Sequence, residues 1–141
     1  MQTVTSVASR SSLLQRLQRA AVTPVDGASL VFFRLMFGLV MAGATLRFGL
    51  KGWIHALYIA PAWHFSYFGM DWLRPWDQAG LVYGHFALIV LTALAIGLGF
   101  AWRTATLLFA LTFTAVELWD KATYLNHYVL VSLLAIALFW M

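Results

Sequence analysis

Residues 81–101 read LVYGHFALIVLTALAIGLGFA, twenty-one residues without a single Asp, Glu, Lys or Arg. The hydrocarbon core of a bilayer is about 30 Å thick, and an α-helix needs about 20 mostly apolar residues to cross it. The stretch has that length, and its polar groups are small or aromatic. It therefore predicts a transmembrane helix.

The composition of the whole chain agrees with this interpretation. Of 141 residues, 62% are hydrophobic and 10% are charged, whereas an average soluble domain is about half apolar and about a quarter charged. The length leaves room for about four spans and no separate soluble domain. We predict an all-α integral membrane protein, a bundle of about four transmembrane helices at residues 28–46, 81–101, 104–119 and 125–141. Trp102 and Arg103 are expected to form one tight turn, and residues 120–124 another.

Residues 47–80 connect the first and second predicted spans and are rich in Trp, Tyr and Phe. Such side chains are favoured at the headgroup level of a bilayer. We expect short helices and turns at the membrane surface here. This aromatic connection is the longest segment between predicted spans.

Residues 1–22 lack the apolar core of a signal peptide and combine arginines with leucines. The pattern predicts a short cytoplasmic amphipathic helix on the membrane surface, although a role in binding a specific partner is an alternative. Residues 23–141 then form the transmembrane domain. The segment contains Arg10, Arg16 and Arg19 beside Leu13, Leu14 and Leu17.

The positive-inside rule predicts the orientation. A cytoplasmic N-terminus places the three arginines of residues 1–22 and Arg103 inside, opposed only by Asp26. The outer segments then carry a balanced mixture of acids and bases. We expect a multi-pass membrane protein, and we interpret the net charge of +4 as a topology signal rather than a nucleic-acid-binding surface.

This orientation brings the polar residues together on the outer face. The four histidines, Glu117, Asp120 and Lys121 all fall there. Lys121 is a candidate general base, since burial of an amine favours its neutral form. The alternatives are a lysine that reaches the membrane surface in an ion pair with Asp120, or an ion pair with Glu117, predicted to share a helical face with it.

The residues after Lys121 are candidates for ligand binding. Asn126 and His127 would either satisfy the first turn of the fourth span or donate hydrogen bonds to a carbonyl or quinol oxygen. Tyr124 and Tyr128 would line a pocket or belong to the interfacial aromatic belt. The histidines lack the spacing of a metal motif, so no metal is expected. Arg34, within the first span, is expected to be structural.

Three blocks of the sequence resemble the vitamin K-dependent γ-carboxylase family and its bacterial relatives with the HTTM (horizontally transferred transmembrane) domain. They are PVDGASLVFFRLMFGLVM at residues 24–41, GWIHALYIAPAWHFSYFGMDWLRPW at residues 52–76 and ELWDKATYLNHYVLVSLLA at residues 117–135. The resemblance runs from about Pro24 to the end of the chain. It implies a transmembrane bundle that continues in full-length members into further spans and a β-rich domain, so we expect the domain to continue beyond Met141.

The resemblance also implies a function. The family binds a reduced naphthoquinone, such as reduced vitamin K, at the non-cytoplasmic side, and oxidation of this quinol drives carboxylation of a substrate glutamate. The base lysine of the family falls on Lys121, and Asn126 and His127 match neighbouring polar positions. Tyr124 and the connection, with Trp63 and His64, would complete the pocket. The alternatives are a non-catalytic small subunit that stabilises a larger membrane complex, and a quinone-binding oxidoreductase subunit.

Overall fold

The computed structural model describes residues 27–141 of the chain. The amphipathic helix predicted for residues 1–22 and the helix-start cluster at residues 23–26 lie outside the described residues. Residues 31–141 form one compact unit, within which the contacts below are made. Four α-helices follow one another: α1 (Gly27–Leu50), α2 (Ala79–Leu98), α3 (Trp102–Trp119) and α4 (Asn126–Trp140).

The helix boundaries differ from the prediction most clearly between α2 and α3. Gly99 (φ 76°) and Ala101 (φ 41°) both have left-handed backbone conformations, and α2 ends there because a helix cannot continue through such residues. The predicted tight turn at Trp102 and Arg103 was wrong, since these two residues begin α3. Of the two left-handed positions, the first carries the glycine that tolerates it without strain.

Consecutive helices run antiparallel. Gly38, in the middle of α1, lies against Gly97 near the end of α2. Phe48, near the end of α1, stacks on Phe86 in the first half of α2, with ring centroids 5.7 Å apart. The α3–α4 pair continues the alternation. The ends of α1 and α3 therefore meet the beginnings of α2 and α4. We call this the site end of the bundle and the opposite end the far end.

Within residues 27–141 the structure is entirely helical apart from turns and the connection, which confirms the all-α prediction for this part of the chain. Only α1, with 24 residues, and α2, with 20, are both long enough and apolar enough to meet the criterion for a membrane span. The shorter helices have 18 and 15 residues. All four expose apolar side chains away from the core, among them Leu39, Leu91, Leu111 and Leu133.

The connection folds back over the site end. It contains one π-helical turn, His55–Ile59, and is otherwise irregular. Tyr58 from that turn is buried, and its ring lies 5.7 Å from the Trp119 ring and 5.6 Å from the Phe86 ring. Its hydroxyl donates to Thr123 Oγ1 at 3.4 Å. Burial raises the pKa of the Tyr58 phenol above its ordinary value, because the phenolate would lose its hydration there.

Candidate functional site

Asp120 ties the aromatic connection to the turn between α3 and α4. It follows the last residue of α3 in an extended conformation and is 5% exposed. Its Oδ1 accepts from the backbone amide of Ala122 at 2.9 Å and from that of Phe65 at 3.2 Å. Its Oδ2 lies 3.1 Å from His64 Nδ1. The carboxylate thus joins segments that are 56 residues apart in sequence.

A backbone contact strengthens the same junction. The amide of Lys121 donates to the carbonyl oxygen of Phe65 at 2.9 Å. The prediction that the connection and the polar turn lie at the same end of the bundle is therefore confirmed. The turn itself is a short 3₁₀-helix, Lys121–Thr123.

The burial expected for Lys121 was wrong: the side chain is exposed at this junction, with its Nζ over the Tyr67 ring, 5.7 Å from the centroid. Both ion pairs considered for it were wrong. Asp120 instead contacts His64, and among residues 27–141 this is the one contact between an acidic and a basic side chain within 4 Å. Glu117 does not share a helical face with Lys121, because α3 ends at Trp119. No carboxylate in the described part of the chain therefore holds the ammonium.

A cavity of about 390 Å³ opens beside the turn, between the site-end halves of the four helices. Its volume falls in the range of about 300–1,000 Å³ that is usual for small-molecule sites, and its mostly apolar lining with few polar groups is also typical. The apolar wall includes Met41, Phe48, Phe86, Ile89, Phe113 and Val116. The polar side chains along it are Thr45, Arg47, Tyr58, Glu117, His127 and Tyr128.

Glu117 is the buried acid of this cavity and is 7% exposed. A hydrogen-bonded chain leads to it: Thr114 Oγ1 donates to Ser132 Oγ at 3.0 Å, and Ser132 Oγ donates to Glu117 Oε2 at 3.3 Å. The other oxygen, Oε1, is buried and has no hydrogen-bond partner among the described residues. Since an unsatisfied buried polar atom costs about 1–3 kcal/mol, Oε1 is a ready acceptor for a ligand.

The five predicted ligand-binding residues lie in three different places. His127 lines the cavity, and His64 belongs to the Asp120 junction. Tyr124, Asn126 and Trp63 are exposed, Trp63 by 86%. The structure therefore brings one member of the predicted set to the cavity and one to the turn, while the other three face outward.

The remaining histidines do not join them. His55 is exposed on the connection. His85 lies in the second turn of α2, and its Nε2 is 2.9 Å from the carbonyl oxygen of Thr112. Its ring is 4.7 Å from the Trp119 ring. Since the backbone of α3 already engages it, His85 helps to pack α2 against α3.

Three residues of the site were missed at the sequence level: Tyr58, Trp119 and Ser132. Tyr58 and Trp119 resemble the many other aromatics of the chain, and nothing local distinguishes the two that become buried. Ser132 could have been predicted, because a hydroxyl within an apolar run often forms a hydrogen bond to a polar group on a neighbouring helix. Glu117 was a candidate for that partner.

Residues 27–141 form an antiparallel bundle of four helices, two of which are long and apolar enough to cross a membrane. A cavity of small-molecule size lies among the helices at one end. These features are typical of a helical membrane protein that binds a small molecule. The family model of the HTTM domain matches residues 22–141, and the chain belongs to this family. It is therefore a membrane protein of the family related to the vitamin K-dependent carboxylase. No curated protein matches the chain, and no solved structure does.

Proposed function

We propose that the chain crosses a bacterial inner membrane four times, with the far end in the cytoplasm. At about 1.5 Å per residue, α1 and α2 reach about 36 and 30 Å, and α3 and α4 about 27 and 22 Å. The shorter helices, α3 and α4, would cross where the bilayer is locally thinner, because the exposed aromatic side chains of the connection interact with the headgroup layer. Charge supports the orientation, since the sequence before α1 contains three arginines and the first turn of α3 contains Arg103, whereas the four Lys and Arg residues of the site end are accompanied by four acids.

The ligand proposed for the cavity is a lipid-soluble quinol of the naphthoquinol class. Such a molecule combines a flat apolar ring system with two hydroxyl donors. The aromatic wall suits the rings, and the unpartnered Glu117 Oε1 can accept from one hydroxyl. His127 and Tyr128, also on the wall, can bond to the second oxygen. This unpartnered acceptor in an apolar cavity is the observation that carries the proposal.

The reaction proposed for the site is the quinol-dependent carboxylation of glutamate. A bound quinol supplies the electrons that reduce oxygen, and this oxidation drives removal of the glutamate γ-proton. Lys121 is the proposed base for the quinol: it takes the proton of one quinol hydroxyl and holds it at Nζ. Asp120 is the positioning residue, because it fixes the turn that carries Lys121. The carboxylate of Asp120 contacts His64 rather than Lys121.

Ligand binding tests the proposal most directly. Protein in lipid nanodiscs is titrated anaerobically with menadiol, the reduced parent naphthoquinol, and tryptophan fluorescence reports binding. We expect saturable binding that weakens several-fold in Glu117→Gln, since the hydrogen bond that the Glu117 carboxyl group accepts contributes about 0.5–1.5 kcal/mol. Asp77→Asn is the matched control, an exposed carboxylate on the connection that does not line the cavity.

Carboxylation is tested separately, by incorporation of labelled carbon dioxide into a glutamate peptide. Lys121→Ala is expected to abolish incorporation without changing menadiol affinity, and Lys51→Ala, an exposed lysine at the same end, is expected to leave both unchanged. Menadiol binding without incorporation would favour the quinone-binding oxidoreductase subunit. Absence of both would favour the non-catalytic subunit.

A further inference from the structure

The far end of the bundle contains a cationic cluster that the proposed function does not use. Arg34 projects from the second turn of α1 towards the turn between α2 and α3. Its Cζ lies over the Trp102 ring at 5.6 Å from the centroid, and the Cζ of Arg103 lies over the same ring at 5.1 Å. One indole is thus shared by two guanidinium groups.

The backbone makes room for this arrangement. A Cβ atom on Gly99 would lie 2.8 Å from Arg34 Nη2, closer than real Cβ contacts come. Gly99 also has a φ of 76°, which glycine adopts more readily than any other residue. The side chain of Arg34 therefore rests against bare backbone at the end of α2.

No acidic side chain among residues 27–141 pairs with the two cations. Within residues 27–141 no carboxylate lies within ion-pair distance of either arginine, and all four acids of that range are at the site end. Arg34 Nε is buried without a hydrogen-bond partner among these residues. Because an unpaired cation in a span is unfavourable and two neighbouring cations repel each other, this geometry stabilises a bound anion.

The first turn of α3 adds further donors. Ala101, the residue before the helix, makes no side-chain capping bond, and the first backbone amides of a helix have no partner within it. They also carry the positive end of the helix dipole, which favours anions. Two guanidinium groups, one unpartnered Nε and a helix start therefore occupy the same corner of the bundle.

We propose that this corner binds the phosphate group of an anionic phospholipid of the phosphatidylglycerol class. The far end of a membrane-spanning bundle lies at the headgroup layer, where basic pockets between helices bind acidic headgroups. Planar guanidinium groups bind phosphate through paired hydrogen bonds. The site would tie the α2–α3 turn to the bilayer at the end opposite the cavity, and it does not depend on what the cavity binds.

The test compares lipid retention among variants of the full chain. Protein washed free of lipid in a non-ionic detergent is mixed with phosphatidylglycerol or phosphatidylcholine, and native mass spectrometry counts bound lipids. We expect one tightly bound phosphatidylglycerol per chain and weaker binding of phosphatidylcholine. Arg34→Gln should lower the phosphatidylglycerol affinity about tenfold or more, and Arg103→Gln should lower it by a smaller factor.

Lys51→Gln is the matched control. Like Arg34 and Arg103, Lys51 is a cation over a tryptophan ring, but it lies at the site end. The arginines of residues 1–22 are present in every variant and cancel in the comparison. Equal affinity in Arg34→Gln and wild type would overturn the proposal, as would an equal loss in Arg34→Gln and Lys51→Gln. Arg103 is exposed, so its variant tests the site even if Arg34→Gln does not fold.

A competition experiment with inorganic phosphate distinguishes a site for a lipid headgroup from a site that also accepts free phosphate. Displacement of phosphatidylglycerol by millimolar phosphate in wild type, lost in Arg103→Gln, would show that the site accepts free phosphate as well as a headgroup. Retention of the lipid at that concentration would assign the site to the headgroup. Phosphatidylcholine retained as tightly as phosphatidylglycerol would contradict an anion site.

Discussion

Replacing Gly38 with alanine should separate α1 from α2 and destabilise the bundle. A Cβ atom at this position would lie 2.5 Å from the Ala93 carbonyl oxygen and 2.7 Å from the Gly97 Cα and nitrogen. All three atoms belong to the backbone, so none can rotate away as a side chain would. The two helices must move apart, and overpacking of this kind typically costs about 1–3 kcal/mol.

The same helix provides the control. Gly43 has nothing within 4 Å of its hypothetical Cβ, so Gly43→Ala gains only the helix-propensity difference, about 0.5–1 kcal/mol. Gly38→Ala gains that term too, so the propensity term cancels when the two variants are compared. We expect Gly38→Ala to be less stable than Gly43→Ala by about 1–3 kcal/mol.

The facing glycine sharpens this prediction. A Cβ on Gly97 would meet the Gly38 Cα and the Leu35 carbonyl oxygen at 3.5 Å, which is ordinary van der Waals contact. Gly97→Ala should therefore be tolerated although it lies in the same interface. The measurement is reversible unfolding in mixed micelles on titration with dodecyl sulfate, followed by helical circular dichroism. A Gly38→Ala variant as stable as Gly43→Ala would refute the close approach of the two helices.

Three further predictions concern the site end. Asp120→Ala removes the anchor of the connection and should increase limited proteolysis within residues 60–78 several-fold; cleavage at the wild-type rate would contradict the junction with His64. Ser132→Ala removes the described hydrogen-bond partner of Glu117 Oε2 and should lower the free energy of unfolding by about 1–3 kcal/mol; unchanged unfolding would show that this bond is not needed. The raised pKa of Tyr58 means that the folded protein keeps the phenol proton that the unfolded chain loses, so stability should fall as the pH rises through about 10 and above; Tyr58→Phe should fall less steeply, and parallel curves would argue against burial of this phenol.

The helices and the junction at the site end could be predicted from the sequence because their signals are long or strongly polar. The uncharged run that became α2 needs no tertiary information to indicate a helix. The meeting of the connection with the polar turn followed from the number of crossings, since alternating helices return every second connection to the same end.

The pairing within the polar turn could not be predicted in the same way. Lys121 is adjacent to Asp120 in sequence, yet His64 is the partner because Asp120 lies in an extended conformation after α3 and accepts hydrogen bonds from the returning connection. The cavity could not be predicted from the sequence either. Its acid, Glu117, depends on Ser132 of another helix, and neither residue indicates by its neighbours that the two will meet.

The junction of Asp120 with His64 has a consequence for biosynthesis. The connection is synthesised well before Asp120 and Lys121, and its anchoring contacts span 56 residues. It therefore stays unanchored until α3 and the turn after it have been synthesised. During that interval a membrane insertase or chaperone can hold the connection, and the last step of maturation is the attachment of the connection to the newly completed turn.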